Sequence, residues 1–184
     1  MKKHFLIIIA AVFMAMPLIS FGQQETSTNE NTDDEKKISY SFINEYGIFA
    51  GGTFGISGVF VNGIRFNKTQ DLIGIGVGYE FGEWDYIPIF INYRHYFPGK
   101  KKLKPLINFA VGTRLTFWTE YIGGGCRDGH CYPYEEKDRV TPGLYATMAA
   151  GFKVKTFSFT SGFFLKSWKQ DFYGGVEVKV GFTF

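Results

Sequence analysis

The last twelve residues, YGGVEVKVGFTF at 173–184, leave the chain the least freedom. Val176, Val178, Val180, Phe182 and Phe184 alternate with Gly175, Glu177, Lys179, Gly181 and Thr183. Period-two alternation is the pattern of a β-strand with one apolar and one polar face. The same character begins at Ile38 and continues to the end, as runs of about ten alternating residues punctuated by polar clusters. No stretch carries a helical period. The runs fall at roughly 38–50, 54–66, 71–82, 86–97, 104–119, 141–154, 156–167 and 173–184. The expectation is an all-β fold of eight antiparallel strands.

Parity then sorts the side chains. One face carries Ile73, Ile75, Val77, Tyr79 and Phe81, then Ile87, Ile89, Ile91, Tyr93 and Phe97. Later strands add Ile107, Phe109, Val111, Leu115 and Phe117, then Leu144, Met148, Phe152 and Val154, then Phe157, Phe159, Phe163 and Leu165. The other face is small or charged, as in Gly74, Gly76, Gly78, Ala110, Gly112, Ala149, Gly151 and Gly162. A soluble barrel with its apolar face inward fails on volume, because an eight-stranded interior is filled by ordinary packing alone. Turned the other way, the aromatics meet lipid and the small residues leave room for charges. Asn44, Asn62, Thr113 and Ser161 sit awkwardly on the lipid side in this register, and a bulge in the second strand would excuse Asn62.

The amino-terminal quarter is different. Residues 5–21 are continuously apolar, follow Lys2 and Lys3, and end at Ser20-Phe21-Gly22. That is the layout of a cleaved secretory signal over 1–22. Removing it takes two lysines and no acid, so the formal charge of +3 falls to +1. No basic patch for nucleic acid remains. Residues 23–37, QQETSTNENTDDEKK, have no apolar side chain and read as an acidic disordered tether in the periplasm.

A final strand ending in Phe184, with Phe182 behind it and apolar residues at every second position, resembles the closing strand of small outer-membrane β-barrels. With the signal and the alternation, the chain over 38–184 resembles the OmpX/OmpW-like class. The resemblance implies an eight-stranded antiparallel up-and-down transmembrane β-barrel in the outer membrane of a Gram-negative envelope. It also implies contact with outer-membrane lipid, and recognition of the carboxyl-terminal strand by periplasmic chaperones and the barrel-assembly machinery. Both ends of the barrel would then lie in the periplasm, with the longer connections outside. Trp84, Trp118 and Trp168 each fall at the outer end of a strand, as an interfacial aromatic girdle would.

Three groups of residues could carry chemistry. The glycines of GIGVG at 74–78 sit at period two inside a strand, so they read as a lumen-facing row and not as a dinucleotide loop. Cys126 and Cys131 lie in the longest connection, GGGCRDGHCYPYEE. In an oxidising compartment two lone cysteines are expected to form a disulfide. The alternative, a metal site adding Asp128 and His130, would crowd four ligands into six residues, and no metal or cofactor is expected. The third group is charged and lumen-facing: Glu45, Arg65, Glu80, Arg94, Arg114, Lys153, Glu177 and Lys179. Bridged to one another, these side chains would plug the interior; left apart, they would line a channel.

A lipid-modifying enzyme needs a serine and a histidine near the outer rim. His95 lies at the wrong end and the connection holding His130 has no serine, so no catalytic residue is expected. The reading is a non-enzymatic envelope protein acting in surface interaction, adhesion or envelope integrity. The 120–140 connection would contact a surface ligand through Tyr121, Arg127, Tyr132 and Tyr134. The alternatives are a narrow channel for passive transport and a lipid-modifying enzyme.

Overall fold

The computed structural model describes residues 38–83, 85–98, 103–127 and 130–184, with backbone pairing alone for 125–132. The signal expected at 1–22, the tether at 23–37 and Trp84 lie outside the described residues. The strands are β1 Ile38–Gly51, β2 Phe54–Phe66, β3 Asp71–Phe81, β4 Asp85–Tyr96 and β5 Leu103–Ile122. They continue as β6 Gly125–Arg127, β7 His130–Tyr132, β8 Glu135–Val154, β9 Phe157–Trp168 and β10 Asp171–Thr183. Eight of them close a ring in the order β1-β10-β9-β8-β5-β4-β3-β2, and β6 and β7 form a separate two-stranded ladder. Closure leaves no strand edge unpaired, which an open sheet in lipid could not tolerate.

The seam is made by the stretch that dominates the sequence. β10 pairs with β1 from Gly51↔Gly175 to Ile43↔Thr183. Phe184 continues the ladder, donating its N–H to Phe42 O at 2.8 Å and accepting from Phe42 N at 2.9 Å. The first residues of β1 run on beyond β10 and pair with β2 alone, so the two ends are staggered as barrel closure requires.

Alternation in burial follows the register closely. Along β3, Ile73, Ile75, Val77 and Phe81 are exposed while Leu72, Gly74, Gly76, Gly78 and Glu80 are buried. The outer wall is therefore a continuous apolar band, far beyond the few hundred Å² a soluble monomer exposes. Of the polar residues on that wall, Thr113 donates its hydroxyl to Gly143 O at 3.1 Å, and Asn62 accepts from the Tyr40 hydroxyl at 2.8 Å. The β1–β2 ladder runs without interruption from Ile38↔Phe66 to Ala50↔Phe54, so no bulge is needed to seat Asn62. Asn44 is paired between Phe60 and Phe182 and is buried on the outer side.

Three expectations are corrected. The lumen face is not only small and charged: Phe49, Tyr86, Phe90, Tyr96, Tyr145 and Phe164 are all buried inside. Glycines make the room for them. A Cβ on Gly76 would meet the ring of Phe90, which stacks on Tyr145 with ring centroids 5.1 Å apart. Second, the 120–140 segment is not a free loop. The β5–β8 ladder continues from Phe117↔Val140 to Ile122↔Glu135, forming a hairpin that rises beyond the neighbouring strands. Third, Trp118 and Trp168 do not belong to a lipid-side girdle, for they share the inward parity of Thr116 and Lys166.

Candidate functional site

The end of the barrel that carries the long hairpin holds a buried, charged cluster. Glu80, at the top of β3, is 1% exposed and is gripped from two directions. Lys166 of β9 donates to its Oε1 at 2.8 Å, and Arg114 of β5 places Nε 3.1 Å from Oε2 without aiming that N–H at it. Aromatic faces supply the rest. The Arg114 guanidinium lies 3.1 Å from the centroid of Tyr86, and Lys166 Nζ lies 4.0 Å from Phe49 and 4.4 Å from Phe164. Such cation–π contacts are strongest where water is excluded.

Further down the lumen, Arg94 donates to Glu45 at 2.8 Å and Lys179 to Glu177 at 2.8 Å, all four buried. Asn92 donates to Asn108 Oδ1 at 2.7 Å beside them. Around these pairs pack Ile43, Val59, Val61, Leu72, Phe90, Leu106 and Tyr145, an apolar core inside the barrel. Each charge faces either a partner of opposite sign or an aromatic ring, as burial demands.

Of the eight sequence-predicted lumenal residues, six fall into these three pairings. Arg65 and Lys153 do not, and lie near the end where the chain enters and leaves. Lys166 was missed by sequence reasoning although it shares the parity of Gly162, which was assigned to the lumen. A lysine two residues from Trp168 reads as part of an exposed turn. Only the carboxylate of Glu80 across the barrel shows otherwise.

At the rim above Glu80, Trp118 and Trp168 meet edge to face at 6.2 Å, and Trp118 Nε1 donates to Thr141 Oγ1 at 3.0 Å. Lys169 Nζ lies 4.1 Å from one indole and 4.7 Å from the other. Here indoles cap the polar mouth. Above them, Arg139 Nε donates to Glu120 at 2.7 Å and Thr119 to Asp138 at 3.2 Å, one pair on each face of the hairpin. The hairpin is wet on both sides, and its exposed apolar residues are Phe117, Tyr121, Ile122, Tyr134 and Val140. The β6–β7 ladder sets Cys126 opposite Cys131.

His95 lies at the other end and on the outer side. Its Nδ1 is 2.7 Å from Asp71 Oδ1, and Tyr93 donates to the same oxygen at 2.8 Å. Among the described residues no serine or threonine hydroxyl is bonded to His95, and none of their His, Cys, Asp and Glu side chains cluster as a metal site.

No family model matches the chain, and no curated protein matches it. Solved structures do. Neisserial surface protein A is 11% identical, with 80% of this chain and 99% of that chain covered at a TM-score of 0.51. The outer membrane enzyme PagL is 14% identical, covering 76% and 98% at 0.51. A major outer membrane protein from Thermus thermophilus is 11% identical, covering 79% and 100% at 0.51. Identities this low carry the fold and nothing finer. With a closed ring of eight strands, an apolar outer wall and ion pairs within, the chain is a small transmembrane β-barrel of the outer-membrane type.

Proposed function

We propose that this barrel is a non-enzymatic surface protein whose working part is the β5–β8 hairpin with its β6–β7 tip. The observation that carries the reading is the contrast between the two parts of the barrel: the lumen holds buried ion pairs and aromatic rings, while the hairpin is long, exposed and chemically varied. It presents Tyr121 and Tyr134, each 64% exposed, among charged residues of both signs. Tyrosines amid mixed charge suit recognition of another surface. Replacing residues 119–138 with a short turn should abolish cell adhesion or surface binding while leaving the barrel in the membrane. Binding that survives that deletion would overturn the reading.

The tip is proposed to be closed by a Cys126–Cys131 disulfide. Facing ladder positions have Cα atoms about 4.5–5.5 Å apart, within the range a disulfide spans. Closing so small a ring stabilises by about 2 kcal/mol in the chain-entropy model, so its main effect would be on the shape of the tip. Alkylation of the purified chain should label neither cysteine before reduction and both after it.

Passive transport is the weaker reading, because six of the eight predicted lumenal charges are paired with one another and buried. The chain should be silent in planar bilayers. A steady conductance altered by Arg94→Ala or Arg114→Ala would restore the channel. Lipid modification finds no nucleophile bonded to His95 among the described residues, and the outer-wall groove lined by Tyr93, Phe109, Met148 and Phe163 is apolar. Mass spectrometry of envelope lipids after overexpression should show no new acyl pattern.

A further inference from the structure

The two lumenal cations left out of the pairings stand together with a third. Lys153, near the end of β8, is 9% exposed and has neither a hydrogen bond nor a carboxylate partner among the described residues. It faces Lys104 directly across the β5–β8 ladder, a like-charged pairing that sheets ordinarily avoid. Arg65 and Lys153 flank the same ring, Tyr96, at 5.0 and 5.4 Å. Arg65 and Lys104 both donate to Gln70 Oε1, at 2.8 and 3.4 Å.

Among the described residues the surroundings offer them no acid. Glu45, the next carboxylate along the lumen, is taken by Arg94, and Asp71 points outward to His95 and Tyr93. Ser158, paired with Lys153 in the β8–β9 ladder, is buried with an unpartnered hydroxyl. The turns at this end add Lys68 and Lys155. Three convergent cations with a neutral amide, a hydroxyl and an aromatic floor have the donor set of an anion site.

We propose that Arg65, Lys104 and Lys153 form an oxyanion-binding site at the terminus end of the lumen. Its ligand is a phosphate- or carboxylate-type group. Free phosphate in the surrounding compartment offers that chemistry.

The test is calorimetric titration of inorganic phosphate into the full chain in neutral detergent micelles at constant ionic strength. Two variants accompany it, Lys153→Gln and Lys153→Arg. The wild type should bind phosphate, Lys153→Gln should weaken binding at least about tenfold, and Lys153→Arg should preserve it. Absence of binding in the wild type overturns the proposal. So does binding indifferent to Lys153→Gln. Should Lys153→Gln fail to fold, the partly exposed Lys104→Gln takes its place with the same expected loss.

Discussion

Lys166 Nζ lies 2.8 Å from Glu80 Oε1 across the inside of the barrel, joining β9 to β3, strands that are not neighbours in the ring. The two residues are 86 positions apart. Arg114 reaches the same carboxylate from β5, so one acid ties three strands that the hydrogen-bonded ladders connect only by going round the wall.

Removing that acid should be costly. Glu80→Gln leaves Lys166 and Arg114 buried without a counter-charge, and the expected loss is about 3–5 kcal/mol. Urea titration in micelles, read by the heat-dependent gel shift, would measure it. A change below about 1 kcal/mol would mean that water, and not Glu80, balances the cations. Glu80→Leu combined with Lys166→Met should cost less than the two single losses together.

Gly76 and Phe90 should be coupled. Gly76→Ala puts a methyl group against the Phe90 ring, an overpacking expected to cost about 1–3 kcal/mol. Phe90→Ala alone opens a cavity and should cost about 3–5 kcal/mol. In the double variant the new methyl has no ring to strike, so the summed single losses should exceed the observed one. Simple additivity would show that the wall relaxes around either change.

The closing strand separates two roles that a single experiment often merges. Deleting Phe184 removes both hydrogen bonds to Phe42, a loss of about 1–3 kcal/mol. Protein refolded in detergent should keep its heat-dependent gel shift with a lower midpoint. In cells, the folded yield should fall further if assembly factors read the terminal residue. Equal losses in both settings would assign Phe184 to pairing alone.

The barrel should be indifferent to its longest hairpin. A chain with residues 119–138 replaced by a two-residue turn should still run compact unheated and extended after boiling. Failure to shift would show that Trp118, which this deletion spares, depends on the hairpin above it to cap the mouth.

The wall was legible in the sequence because its two sides face different solvents. Ile73, Ile75 and Val77 against Gly74, Gly76 and Gly78 is a contrast that lipid outside and a crowded interior both impose. That contrast vanishes where both sides are wet. Phe117 to Ile122 and Glu135 to Val140 keep their ladder beyond the rim without alternating cleanly, so the hydrophobic pattern stops before the strands do. The interior was legible by charge and not by size. Phe90 and Tyr145 face inward beside Gly76 and Gly112 of the neighbouring strands, a matter of register between strands that no single strand reveals. Trp118 and Trp168 follow the same rule: position along a strand showed their height, and only parity showed their side.

The ladder that carries β5 and β8 past the rim also sets the mechanics of whatever the tip touches. Five further residue pairs, Trp118↔Arg139 to Ile122↔Glu135, at about 3.4 Å each carry the ladder roughly 17 Å along the strands past the end of β4. A flexible loop of equal length would have to surrender its freedom at each encounter, at a cost to affinity. A hydrogen-bonded stalk has surrendered most of it during folding, so a partner binding there would find less freedom left to be lost on contact.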